Sequence, residues 1–220
     1  CIILYPFSNW LVKLATIVIP DGREELEEKD DEEMLALDER FMERPAFAME
    51  ICRNASRQMA SETMEAITLA LEVVNEYDKK KAAKVYKLED KVDHYEDKLG
   101  SYLVKLSVKN LSKADSESLS VLLHGMSDFE RISDHAINIV ESAKEMNDKS
   151  LVFSKKAKAE METITRAVHD IVVKTVDVFN SESVEEAVHI EPLEDVIDGL
   201  TKEIKQNHVK RLTKGKCTIE

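Results

Sequence analysis

Ser127-Asp128-Phe129-Glu130-Arg131-Ile132-Ser133-Asp134-His135-Ala136-Ile137-Asn138 is the stretch that decides how this chain is read. Phe129, Ile132, Ala136 and Val140 recur at helical period, so the segment predicts an amphipathic helix. Glu130, Asp134 and Asn138 are each four apart, which stacks three oxygen-bearing side chains on one face beside that stripe. A row of hard oxygen donors at the border of core and solvent can hold a cation, because each carboxylate offsets part of the ion's lost hydration. The competing reading is a solvated acidic edge paired with lysines.

The spacing recurs. Leu88-Glu89-Asp90-Lys91-Val92-Asp93 has the same Glu-to-Asp step, and Glu96 and Asp97 continue the row one turn later. Leu193-Glu194-Asp195-Val196-Ile197-Asp198 repeats the L-E-D-x-(apolar)-D pattern 105 residues further on. The same offset places Ala82 on Ala187, Val85 on Ile190, Leu99 on Ile204 and Asn75 on Asn180. One shift that matches core and acidic positions together marks an internal repeat. It raises metal binding to the level of the lysine-paired alternative.

Composition narrows the class. A chain of 220 residues can bury a sizeable core in one domain or two similar halves. Five glycines and four prolines are too few for strands joined by tight turns, so an all-α fold of long helices is expected. No two glycines lie close enough to make a phosphate-cradling loop. A net charge of -13 argues against nucleic acid, whose binders need basic surface, and suits a protein that attracts cations. Cys1, Cys52 and Cys217 are odd in number and far apart, which reads as reduced thiols facing the cytosol.

Along the chain, residues 1–20 (CIILYPFSNWLVKLATIVIP) are strongly apolar but lack the basic start and small-residue cleavage site of a signal peptide. Trp10 beside Lys13 matches the trimming of a membrane interface, so this segment reads as the end of a transmembrane helix plus an interfacial stretch. A buried helix of a soluble protein is the alternative. Residues 21–45 form an acidic linker, densest between Arg23 and Glu33. Helices then follow: 46–77 opened by Pro45, a second capped by Asp78, a third after a polar break at 110–118 with Asp115 as cap, a fourth opened by Ser154, and a fifth opened by Ser181 or Ser183 and running to Val209. The first repeat is thus 46–148, with three helices, and the second is 151–220, with two.

The triple-helix repeat, L-E-D-x-V-D at 88–93 and above all F-E-R-I-S-D-H-A-x-N-I from Phe129 resemble PhoU domains. The resemblance implies a bundle of three-helix repeats whose acidic E/D-x-x-x-D rows bind multinuclear metal clusters. It places Glu89 and Asp93, Glu130 and Asp134, and Glu194 and Asp198 on the acidic motif positions, with Glu96 and Asp97 extending the first row. A third helix of the second repeat would fall near residue 235, so the second site is thinner: Gly199, Leu200 and Thr201 stand where the first repeat has Glu96 and Asp97. Residues 1–45, with Y-P-F-S-N-W-L-V-K and L-D-E-R-F, resemble the junction after the last membrane segment of bacterial sodium-dependent phosphate cotransporters. That implies a regulatory tail at the plasma (inner) membrane, with residues 21–220 on the cytoplasmic side. It would have no catalysis of its own, and its partners would be the membrane domain of the same transporter and, through it, phosphate and sodium. A homodimer is a further expected partner. The alternative is a soluble regulator of a separate phosphate importer and its signalling kinase.

The expected cofactors are divalent or trivalent metal ions, iron, Mn, Mg or Zn; carboxylate rows suit Mg, Ca, Mn or iron without choosing. Carboxylate-bridged di-iron chemistry would need two Glu-x-x-His pairs, and the chain has one, Glu186-x-x-His189. His135 points roughly 100° away from Asp134 and reads as a group outside the row. No Ser or Cys has a His and an acid at telling spacing.

Overall fold

The third helix shows how this sequence starts an element. Ser112 caps it, its Oγ accepting from the Asp115 amide at 3.1 Å and donating to the Asp115 carboxylate at 2.8 Å. A hydroxyl and an acid three residues apart satisfy each other and an orphan amide, which holds the first turn. The expected cap, Asp115, is therefore the third residue of the helix, and the break is shorter than 110–118. The computed structural model describes residues 37–217, and every described element is helical. The expected membrane segment at 1–20 and most of the acidic linker lie outside the described residues. No helix among the described residues is long and apolar enough to cross a membrane.

A 3-10 turn at Glu39–Glu43 leads into α1 (Pro45–Asn75), α2 (Lys79–Ser107) and α3 (Lys113–Asp148). α4 (Lys155–Ser181), a single turn α5 (Val184–Ala187) and α6 (Ile190–Thr213) complete the order. Asp78 caps α2 with bonds of 2.7 and 3.2 Å from the Lys80 and Lys81 amides. Ser154 and Ser183 cap α4 and α5. The expected fifth helix is instead split at Val188 and His189. Pro192 has no N–H to donate to the carbonyl of Val188, so the ladder breaks there and restarts at Ile190.

α1, α2 and α3 pack on one another in an up-down bundle, α4 lies against α1, and α6 lies against α4. α1 presents small buried side chains (Ser56, Ala60, Thr63, Ala66, Ala70), which let the neighbouring helices approach closely. Larger residues fill the other walls. Met49, Met59, Leu99, Leu103, Met126 and Phe129 form one apolar cluster, and Ile67, Leu71, Val85, Leu88 and Val140 form a second. The ring of Phe179 brings α4 onto α3, edge-to-face with Phe129 at 4.9 Å. Gly125 makes room for it: a Cβ there would stand 3.0 Å from the Phe179 ring. Cys52 is fully buried in the first cluster, as a free thiol.

The helices repeat at nearly constant offset. Val184 lies 105 residues after Lys79, and the ends Ser107 and Thr213 are 106 apart. Ser181 ends α4 106 residues after Asn75 ends α1.

Candidate metal centre on the seam of α2 and α3

α2 and α3 run antiparallel around a short turn, so their acidic rows meet flank to flank. Leu88 and Val92 turn into the core, leaving Glu89 half-buried between them and Asp93 just outside. On α3, Phe129, Ser133 and Ala136 are buried, leaving Glu130 half-buried and Asp134 exposed. The seam spans the joint between the two apolar clusters, since Leu88 belongs to one, Val92 to the other, and Ile132 packs against both.

The electrostatics show which acids face each other. The Glu89 carboxyl is held above the usual range by partial burial, then by Asp93 and Asp90 on its own helix and Asp134 and Glu130 across the seam. Asp93 is raised by burial, then by Asp134 across the seam and by Asp90 and Asp97 along its own row. Glu130 is raised by burial, then by Asp134, Glu96 and Asp93, with Arg131 pulling the other way. Like charges gathered this way disfavour the ionised forms unless a cation lies among them.

The structure thus brings together Glu89, Asp93, Glu96, Glu130 and Asp134. Asp97 joins only along its own helix, through Asp93. Asn138 is turned aside: its side-chain amide donates to the Asp134 carbonyl at 3.0 Å. Asp90, which the sequence shows inside L-E-D, adds charge to both Glu89 and Asp93 and was not among the expected ligands. Its signal was available, since it adjoins both. Glu194 and Asp198 lie exposed on α6, away from the α2–α3 seam.

Two basic residues border the seam. Arg131 pairs with Asp128 at 3.9 Å, both largely exposed. Lys91 donates to Glu62 of α1 at 3.2 Å, and Gln58 donates to the same carboxylate at 3.0 Å. Among the described residues, no group of three or more His, Cys, Asp or Glu side chains stands close enough to grip a metal ion as it is. The donor set is all oxygen, which suits a hard cation rather than a soft one. Glu89 and Asp93 would hold such an ion from α2, and Glu130 and Asp134 from α3.

Residues 56–143 match the family model of the PhoU domain. The PhoU match runs from within α1 to near the end of α3, so it contains the whole seam and excludes Glu194 and Asp198. Comparison with curated proteins and with solved structures gives no match.

Proposed function

We propose that this chain is the regulatory cytoplasmic tail of a sodium-dependent phosphate transporter, binding metal through the α2–α3 seam and modulating phosphate uptake without catalysis of its own. The observation that supports the metal reading is that Glu89, Asp93 and Glu130, all within the PhoU match, are raised by partial burial and by acids across the seam. A cation between the rows would turn repulsion into attraction and tie α2 to α3. Its binding is therefore a natural input for a regulator whose output is the rigidity of one bundle. The transporter context rests on the apolar segment 1–20 and the L-D-E-R-F linker.

Mn2+ titration of the full chain by calorimetry, after chelation and desalting, tests the metal reading. Uptake that disappears in the Glu130→Gln/Asp134→Asn variant supports it. Absence of uptake in the parent shows the rows to be a solvated acidic edge. The context is tested by reading the coding sequence upstream of Cys1. Several hydrophobic spans support the tail, whereas a start codon close by supports a soluble regulator of a separate importer.

A further inference from the structure

One end of the bundle carries charge that the fold itself does not use. α2 opens with Lys79, Lys80 and Lys81, of which Lys81 pairs with Glu72 at 2.7 Å, and α4 opens with Lys155 and Lys156; past the Asp78 cap of α2, neither helix has an acid in its first turn. Both N-termini lie at the same end, since helices alternate in direction. Cations there oppose the positive end of the helix dipole, where acids would stabilise. α3, which starts at the opposite end, has Asp115 in that place. The last turn of α6 adds Lys210, followed by Lys214 and Lys216. Among the described residues none of Lys155, Lys156, Lys158, Lys210, Lys214 and Lys216 is in an ion pair. The nearby acids Glu145 and Glu160 are bound by Lys149 and Arg211, each pair at 2.7 Å. This end also carries Glu76, Asp78 and Asp148, but among the described residues its lysines outnumber its acids, so a chain of net charge -13 is locally positive here.

On that face the α3–α4 loop carries exposed apolar side chains. Val152 is 90% exposed and Phe153 37% exposed. The loop itself lines a groove of about 630 Å3, together with Met146, Met161 and Ile204, with Glu145 and Glu160, and with Arg211 and Lys216. Apolar tips ringed by lysines match a surface that is anionic outside and hydrocarbon within.

We infer that this end of the bundle docks on an anionic phospholipid surface, the lysines on headgroups and Val152 and Phe153 in the interface. The inference rests on the membrane-tail reading, which brings a bilayer within reach. Residues 21–36 are long enough to span about 53–58 Å if extended, and α1 is about 46 Å long, so the far end of the bundle can reach the membrane from which the linker leaves.

Full-length chain is mixed with phosphatidylcholine vesicles, with and without phosphatidylglycerol, and sedimented. Binding to the neutral vesicles reads the apolar segment 1–20, and its absence would sink the tail reading alone. The increment due to phosphatidylglycerol reads the docking face. An increment of about tenfold or more is expected, lost at high salt and lost in Lys155→Glu/Lys156→Glu/Lys158→Glu with neutral-vesicle binding and circular dichroism unchanged. Val152→Asp should weaken the increment with every lysine intact. An increment that survives the charge reversal overturns the inference. So does a lysine-dependent affinity for polyglutamate with no lipid increment, which would assign the face to an acidic polypeptide.

Discussion

Acids that face one another across α2 and α3 make stability depend on pH in the direction opposite to most carboxylates. For Glu89, Asp93 and Glu130 the folded-state value lies above the ordinary 4.5 or 3.8, so between the two the folded chain binds more protons than the unfolded chain. Their contribution is fully present below the ordinary values and is lost as pH rises through the raised ones. Glu145, lowered by its bond from Lys149, and Asp78, lowered by the α2 amides, act with the opposite sign and lose theirs in more acidic solution. Metal-free chain should therefore gain stability as pH falls from neutral toward the mid-acid range, then lose it. Urea midpoints across that range check the shape. Glu130→Gln/Asp134→Asn should raise the midpoint at neutral pH in chelated buffer and flatten the rise. A lower midpoint in the variant would mean that the acids are stabilised by partners and do not repel. Cys52 gives a second test at this scale. Burial pushes its thiol up to about 12, so it should resist thiol reagents in the native chain and react only on unfolding, as read by mass-spectrometric mapping.

Elements depend on a few contacts that can be removed singly. Ser112→Ala should cost about 1 kcal/mol, because the Asp115 amide loses its acceptor and α3 its first-turn anchor. Gly125→Leu should cost about 1–3 kcal/mol by thrusting atoms into the Phe179 ring and lifting α4 from α3, measurable by thermal melting. The two residues also show what sequence can disclose. The helices themselves were legible, since Phe129, Ala136 and Val140 keep period and Asp78 and Ser154 stand at true starts. Ser112 was not separable from Asp115, because the break contains several residues able to cap and only backbone geometry selects one. The split before Ile190 has a sequence cause in Pro192, but the apolar period through Ala187, Leu193 and Ile197 runs straight across it. The seam was legible as two rows of equal spacing, and counting from the turn sets Glu130 level with Glu96 and Asp97, whereas in the structure it is Asp93 and not Asp97 that acts on Glu130 beside Glu96. How far apart the rows stand was not, because that depends on helix rotation about the core. The same holds for Arg53, which reaches Asp115 at 3.4 Å across 62 residues of chain.

On the scale of the whole molecule, the helices are unequally secured. α1 touches α2, α3 and α4, whereas α6 rests mainly on α4 and contributes no fully buried side chain. α4 contributes only Val176. Two polar clamps add to the attachment: Arg211 and Asn207 of α6 hold Glu160 of α4, and Arg57 of α1 holds Glu182 at 3.2 Å just past the end of α4. Opening should then proceed as a peel from one side. α6 detaches first, α4 next, and α1 to α3 come apart only with global unfolding. Native-state hydrogen exchange should rank amide protection in that order, and limited proteolysis should cut first between Ser181 and Ile190. A metal ion held between α2 and α3 would slow exchange in the last unit to open and leave α6 as fast as before.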